Sequence, residues 1–364
     1  MNAAQQLAAA GQSLWLDNIA KSLITTGTLA RYIRDLAVTG VTSNPTILEK
    51  AISGGSDYDD AIRGHVEAGT TDAEQLAFAL ALEDLVAGAD LLRPVFDATG
   101  GTDGFVSVEV SPSLADDAAA TVTTGTALFA AAGRPNVLVK VPGTTAGMVA
   151  IEELIAAGIP VNVTLLFSPD HYRAAADAYI RGIERRVAAG QPAHVASVAS
   201  VFVSRWDAAA DPALPPELQG KLGIAVVQAC YAAATELLAS DRWQRLADAG
   251  VRPQRLLVAS TGTKNPALAD TYYLGRLAAP GTIDTIPEPT LLAFAAHGEV
   301  CDLLTPDAAT AAAVLDAVAA AGVDVVALAA KLQDDGADAF RASWAALLGC
   351  IDKKSAALGL TVDK

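Results

Sequence analysis

About eight short apolar segments alternate with stretches of helical period along this chain, and that alternation constrains the fold more than any other feature. The segments are residues 13–19, 40–44, 105–111, 136–143, 160–167, 195–203, 255–261 and 282–286. The fourth, 136–143, is rich in valine and bounded by turn residues, as a buried parallel strand is. Between them the spacing predicts helices over 28–36, 114–132, 144–158 and 168–189, and a long one ending near Ser240 after the Pro-rich loop 211–216. Thr144 or Thr145 can cap the third of these, and Ser168-Pro169-Asp170 reads as N-cap, N1 and N2 of the fourth. Residues 52–104 are too long for a simple crossover. They read as an insertion of two or three amphipathic helices, one over 73–85, and the chain from Thr290 onward reads as helical. The expected architecture is an α/β chain forming one (β/α)8 TIM barrel over 1–364. Extra helices are inserted after strand 2 (about 52–104) and added at the C-terminus (about 290–364). A doubly wound sheet is the alternative. It usually carries a Gly-rich phosphate loop after its first strand, and Ile19-Ala20-Lys21-Ser22-Leu23 has no glycine.

Charge narrows the partners. The formal net charge is −16, which argues against nucleic acid or anionic lipid, because both require a basic face. An anionic substrate would need a local basic site. Hydrophobic residues make up 52% of the chain, enough for a large core. Cys230, Cys301 and Cys350 are odd in number and far apart, and His65, His171, His194 and His297 lack metal-ligand spacing, so neither disulfides nor a metal site is expected. The most membrane-like stretch, 308–332, is broken by Asp316 and Asp324, and the N-terminal residues make a poor signal peptide. A soluble cytoplasmic protein is the expectation.

Lys140 lies inside the apolar run Asn136-Val137-Leu138-Val139-Lys140-Val141-Pro142-Gly143. Burial disfavours an ammonium, and a neutral amine can attack a carbonyl to form a Schiff base. The other reading puts Lys140 at a strand end, snorkelling to water. The neighbouring strands carry polar residues of one parity: Asp17; Thr42 and Asn44; Ser107, Glu109 and Ser111; Asn162 and Thr164, continued by Ser168; Ser200, two before Phe202; and Ser260. Barrel strands point alternate side chains inward, and catalysis in this fold sits at the C-terminal ends of the strands. Asp17 and Glu109 are either structural acceptors or a base and an acid beside Lys140. Arg205 and Lys264 follow strands six and seven and could hold a phosphate with nearby hydroxyls; a surface ion pair with Asp207 is the plainer reading of Arg205.

Seven segments, taken in order, resemble transaldolase: Leu16-Asp17-Asn18, Gly40 to Thr46, Ser107 to Val110, Leu138 to Pro142, Asn162 to Ser168, Ser200 to Arg205, and Ala259 to Lys264. The longer bacterial subgroup is the nearest match. The resemblance implies a class I reaction with no metal and no cofactor. Lys140 would form the Schiff base and Asp17 would be the general base. Glu109 and Thr164 would position a water. Asn44, Asn162, Ser200 and Phe202 would line the substrate, and Arg205, Ser260 and Lys264 would bind its phosphate. Many relatives carry an arginine shortly after the serine matching Ser260, where this chain has Thr261-Gly262-Thr263-Lys264. The implied partners are sugar phosphates, acted on by a monomer or homodimer. Two other functions stay open: a Schiff-base aldolase releasing free dihydroxyacetone, and a phosphosugar-binding barrel without catalysis.

Overall fold

The computed structural model describes residues 1–362. Eight strands form the barrel: β1 (Ser13–Asp17), β2 (Val38–Thr42), β3 (Val106–Glu109), β4 (Val137–Pro142), β5 (Val161–Leu166), β6 (Ser197–Phe202), β7 (Arg255–Ala259) and β8 (Ile283–Ile286). Each pairs in parallel with the next, and β8 returns to β1, closing the sheet. The doubly wound alternative is thereby excluded. Every residue of β4 and β5 is buried, as strands sandwiched between a barrel interior and a helical layer must be.

The interior explains why the site opens at one end only. Trp15 fills the lower barrel, and a Cβ on Gly40 would sit 2.5 Å from its ring, so only glycine fits there. Trp15 Nε1 donates to Asp103 Oδ1 at 2.7 Å, and Arg255 Nη2 donates to Ser13 Oγ at 2.7 Å and to the Thr282 carbonyl at 3.0 Å. These contacts plug the N-terminal end of the barrel.

Helix starts follow the sequence signals closely. Thr144 and Ser168 accept from the backbone amides of Gly147 and His171, and Asn44 accepts from that of Ile47. Ser168 is thus a cap and not part of the inward polar set, and Ser111 bonds Ser113. After the helix Pro45–Ser53, the insertion holds two helices, Asp59–Glu67 and Ala73–Ala98. The last is twice the expected length. Gly88, which a propensity reading treats as a weak point, is where the helix packs on Ile19: a Cβ there would lie 2.8 Å from Ile19 Cδ1. Short helices at Lys21–Thr25, Ser204–Ala210, Asp241–Asp248 and Tyr272–Arg276 were not expected.

The C-terminal helix Val325–Ala357 runs across the open mouth. Gln333 Nε2 donates to the Gly143 and Leu165 carbonyls, both at 2.9 Å, Thr46 Oγ1 donates to Ser343 Oγ at 2.9 Å, and Trp344 Nε1 donates to Glu74 Oε1 at 3.0 Å. Leu165 takes a φ of +60° at an irregularity in β5, which turns its carbonyl toward Gln333. The stretch 308–332 is divided between two helices bent by 91°. Among the described residues the single unbroken helix long and apolar enough to cross a membrane is Leu222–Ala239, half buried against Pro169–Ala188 and Ala308–Ala320.

Candidate active site

A cavity of about 750 Å³ opens at the C-terminal end of the strands. Asp17, Thr42, Asn44, Lys140, Asn162, Thr164, Ser200, Phe202, Arg205, Ser260 and Lys264 all line it. Glu109 does not. It faces a smaller chamber on the other side of Lys140.

The residues form linked groups rather than a scatter. Lys140 Nζ lies 3.3 Å from Glu109 Oε2 and donates to the Ser43 carbonyl at 3.0 Å. Its side chain is only 8% exposed, so the snorkelling reading fails. Burial pushes the Glu109 carboxyl up to about 7, against the pull of the adjacent Lys140 ammonium. Asp17 is also raised by burial, with Lys140 and the Thr42 hydrogen bond pulling the other way. Thr42 Oγ1 donates to Asp17 Oδ1 at 2.9 Å and lies 2.6 Å from Thr285 Oγ1. A hydroxyl has one proton, so Thr285 must donate to Thr42 when Thr42 donates to Asp17. That order fixes the carboxylate of Asp17 as the end of a short donor chain.

Across the barrel, Asn162 Nδ2 donates to Ser107 Oγ at 3.0 Å and its Oδ1 accepts from Ser200 Oγ at 2.7 Å. Both amide ends are held, so the side chain is oriented before any ligand arrives. Asn44 uses its oxygen to cap a helix, which leaves its amide protons for the cavity. Thr164 Oγ1 is buried without a partner among the described residues, and a buried hydroxyl left free in this way is available to a substrate or water.

The far side is cationic. The Arg205 guanidinium lies 5.1 Å from the Phe202 ring centroid. The ion pair with Asp207 is not formed: Asp207 accepts from Tyr273 Oη at 2.7 Å and from the Gly223 amide at 3.0 Å. Asp335, whose field reaches Arg205, is itself paired with Lys331. Burial lowers the Lys264 pKa, and the neighbouring Arg205 lowers it further. Two like charges held close on a cavity wall suit an anion. Ser260 stands beside them at a φ of +60°, with its hydroxyl 3.0 Å from that of Ser204. A non-glycine residue in this region is strained, and such strain clusters at functional sites.

The transaldolase/fructose-6-phosphate aldolase family profile matches residues 14–351. A transaldolase of Parafrankia sp. (strain EAN1pec) is 44% identical over 95% of this chain and 96% of its own length. Transaldolases of Acidothermus cellulolyticus (96% of this chain, 95% of the relative) and Thermobifida fusca (97% and 98%) are each 43% identical. The chain belongs to the transaldolase/fructose-6-phosphate aldolase family. It is an enzyme, a transferase of the transaldolase kind.

This transaldolase site also contains groups that strand parity did not reveal. Phe340, Ala339 and Ser343 come from the C-terminal helix, and the Phe340 ring centroid lies 5.3 Å from Lys140 Nζ. Lys50 comes from the helix after β2, and Glu288, hydrogen-bonded to Asn18 Nδ2 at 2.9 Å, from the start of the helix Glu288–His297 after β8. Amphipathic spacing can show that such helices bury a face. It cannot show that the face covers a barrel mouth nearly two hundred residues upstream. Among the described residues no cluster of three His, Cys, Asp or Glu could hold a metal ion.

Proposed function

We propose that this enzyme, in the cytoplasm and within the pentose phosphate pathway, moves a dihydroxyacetone unit through a Schiff base on Lys140. The donor is a ketose phosphate (sedoheptulose 7-phosphate or fructose 6-phosphate), and the acceptor is an aldose phosphate (glyceraldehyde 3-phosphate or erythrose 4-phosphate). One observation carries the reading: a buried lysine amine, paired with a carboxyl of pKa about 7, faces a cavity whose opposite wall is cationic.

The steps balance as follows. Nζ passes a proton to Glu109 and attacks C2 of the ketose. The carbinolamine oxygen takes protons from the Glu109 side and leaves as water, giving an iminium ion. Asp17 removes the proton of the C4 hydroxyl. The C3–C4 bond breaks, its electron pair runs into the iminium to give an enamine, and the aldose departs. An incoming aldose reverses these steps, and water releases the new ketose. Asn44, Asn162 and Ser200 hold the sugar hydroxyls, and Arg205, Ser260 and Lys264 the phosphate, a reading supported by their shared lining of the cavity. A coupled assay comparing transfer to erythrose 4-phosphate with release of free dihydroxyacetone tests this reading. Predominant release would make the chain an aldolase.

Arg205→Ala should raise KM for fructose 6-phosphate with little change in kcat. A charge-assisted hydrogen bond of roughly 1.5–3 kcal/mol corresponds to about 10- to 150-fold. The effect should vanish for unphosphorylated fructose, and an equal loss with both sugars would remove the phosphate role.

Glu109 also makes a stability prediction. Above pH 4.5, its ordinary value, the unfolded chain releases this proton, while the native state keeps it up to about 7. The native state therefore binds more protons in that window, so this group makes stability fall as pH rises from about 4.5 to 7. Urea melts across that range should show a shallower fall for Glu109→Gln, and identical slopes would refute the assigned shift.

A further inference from the structure

Behind Glu109 lies a chamber of about 40 Å³, partly open to solvent, between the insertion helix Ala73–Ala98, the helix Pro45–Ser53 and the C-terminal helix. Most of its wall is apolar, including Leu48, Phe78 and Leu347. Its polar lining comes from Glu109, Ser43, Asn44 and Asp84. Two of these groups are shared with the lysine, because Nζ contacts Glu109 and the Ser43 carbonyl. Substrate approaches Lys140 from the large cavity, and this chamber approaches it from behind.

Asp84 is the residue without an explanation in the mechanism. It is 4% exposed on a helix face that is otherwise apolar, and a buried carboxyl is costly unless it is bonded or used. Tyr58 Oη donates to Asp84 Oδ2 at 2.6 Å and itself accepts from the Lys21 amide at 2.9 Å. Oδ1 has no protein partner among the described residues. One oxygen is therefore fixed and the other is available to a guest. A water needs roughly 10–15 Å³ of such volume and two to four polar partners, so the chamber has room for a few.

We propose that this chamber is the water compartment of the reaction, with Asp84 as its positioning residue: it takes the water expelled when Lys140 condenses with the ketose and supplies the water that hydrolyses the product imine. The inference rests on the Schiff-base reading above. Each turnover releases one water and consumes one, while the sugar occupies the main cavity. Burial brings Asp84 up to about 6, so near neutrality it is mostly a carboxylate whose free oxygen accepts from water. The charged groups acting on it are Lys21 and Glu83, and those acting on Glu109 are Lys140 and Asp17.

The test uses the full-length enzyme and the variants Ala81→Leu, Asp84→Leu and Asp84→Asn. Ala81 lines the chamber, so leucine there fills it without altering a reacting group. Incorporation of heavy oxygen from labelled water into the ketone of fructose 6-phosphate, with no acceptor present, reports imine formation and hydrolysis. The fraction of enzyme trapped by borohydride reports the imine equilibrium, and thermal melts report folding. Ala81→Leu and Asp84→Leu should slow oxygen exchange and kcat by about tenfold, the scale of one lost water bridge, with KM and trapped fraction unchanged. Asp84→Asn, which still bonds water, should retain most of the exchange. Exchange within twofold of wild type in either folded leucine variant would overturn the proposal. So would a fall in trapped fraction in all three variants, which would make the Asp84–Tyr58 contact a structural staple. Should Ala81→Leu not fold, the Asp84 pair decides. If the wild-type enzyme traps no adduct at all, the Schiff-base reading itself fails, an outcome distinct from normal trapping with unaffected exchange.

Discussion

Replacing Lys140 with methionine is expected to cut transfer by at least about 10⁴-fold, the scale of loss when a covalent nucleophile is removed, while the barrel stays folded. The two halves of this expectation have separate causes. Among the described residues Lys140 is the cavity lysine that pairs with a carboxyl; Lys264 neighbours Arg205, and Lys50 lies on the helix after β2. A substitute nucleophile would have no group to take its proton. Folding should survive because methionine preserves the packed stem beneath Phe340. Removing one partner of a buried ion pair is normally costly, since the other charge is left alone. Glu109 avoids that cost by protonation. Its carboxyl already sits near 7 with Lys140 present, and losing the ammonium raises it further. Circular dichroism melts near neutral pH should differ by a few degrees at most. A variant that unfolds would show Lys140 to be a structural group, and a folded variant with substantial turnover would remove it as nucleophile.

Asp17→Asn should stop carbon–carbon cleavage and leave imine formation intact. Loss of a general base typically costs ~10²–10⁴-fold. The amide oxygen can still accept from Thr42, so the donor chain Thr285 to Thr42 keeps its order and the pocket its shape. What is lost is the capacity to accept a proton from the substrate hydroxyl. Condensation at Lys140 uses Glu109, on the other side of the amine, and should proceed. The variant should therefore accumulate an adduct that retains the whole ketose, visible by mass spectrometry after reduction. Near-normal turnover in the folded variant, or absence of any adduct, would defeat this division of roles.

The parts of the site that the sequence displays are those carried by strands. A strand has a period of two, so one polar residue in an apolar run declares its face, and Asp17, Thr42, Asn162 and Ser200 could be assigned to a common interior before any coordinates. Lys140 was legible for the same reason. Glu109 follows the same parity: it pairs in register with Lys140 and touches its amine, although its carboxyl borders the smaller chamber and not the main cavity. Parity failed at Ser168, whose position after a strand made it look inward, while its local sequence made it a cap. Helical contributions were hidden. Phe340 reaches Lys140 because the C-terminal helix is tied across the mouth, by Gln333 to the Gly143 and Leu165 carbonyls and by Ser343 and Trp344 to Thr46 and Glu74, and the Leu165 tie uses a turned peptide. Asp84 carries no sequence signal of its own, and its burial follows from the packing of its helix against the chain before Asp59–Glu67, where Tyr58 covers it.

The central claim, that Lys140 carries the transferred unit, is tested most directly by borohydride reduction in the presence of fructose 6-phosphate, followed by peptide mapping. The account predicts a reduced adduct on the peptide containing Lys140, with activity lost in proportion to labelling. An adduct on Lys264 or Lys50, or full activity after reduction with no adduct, would contradict it.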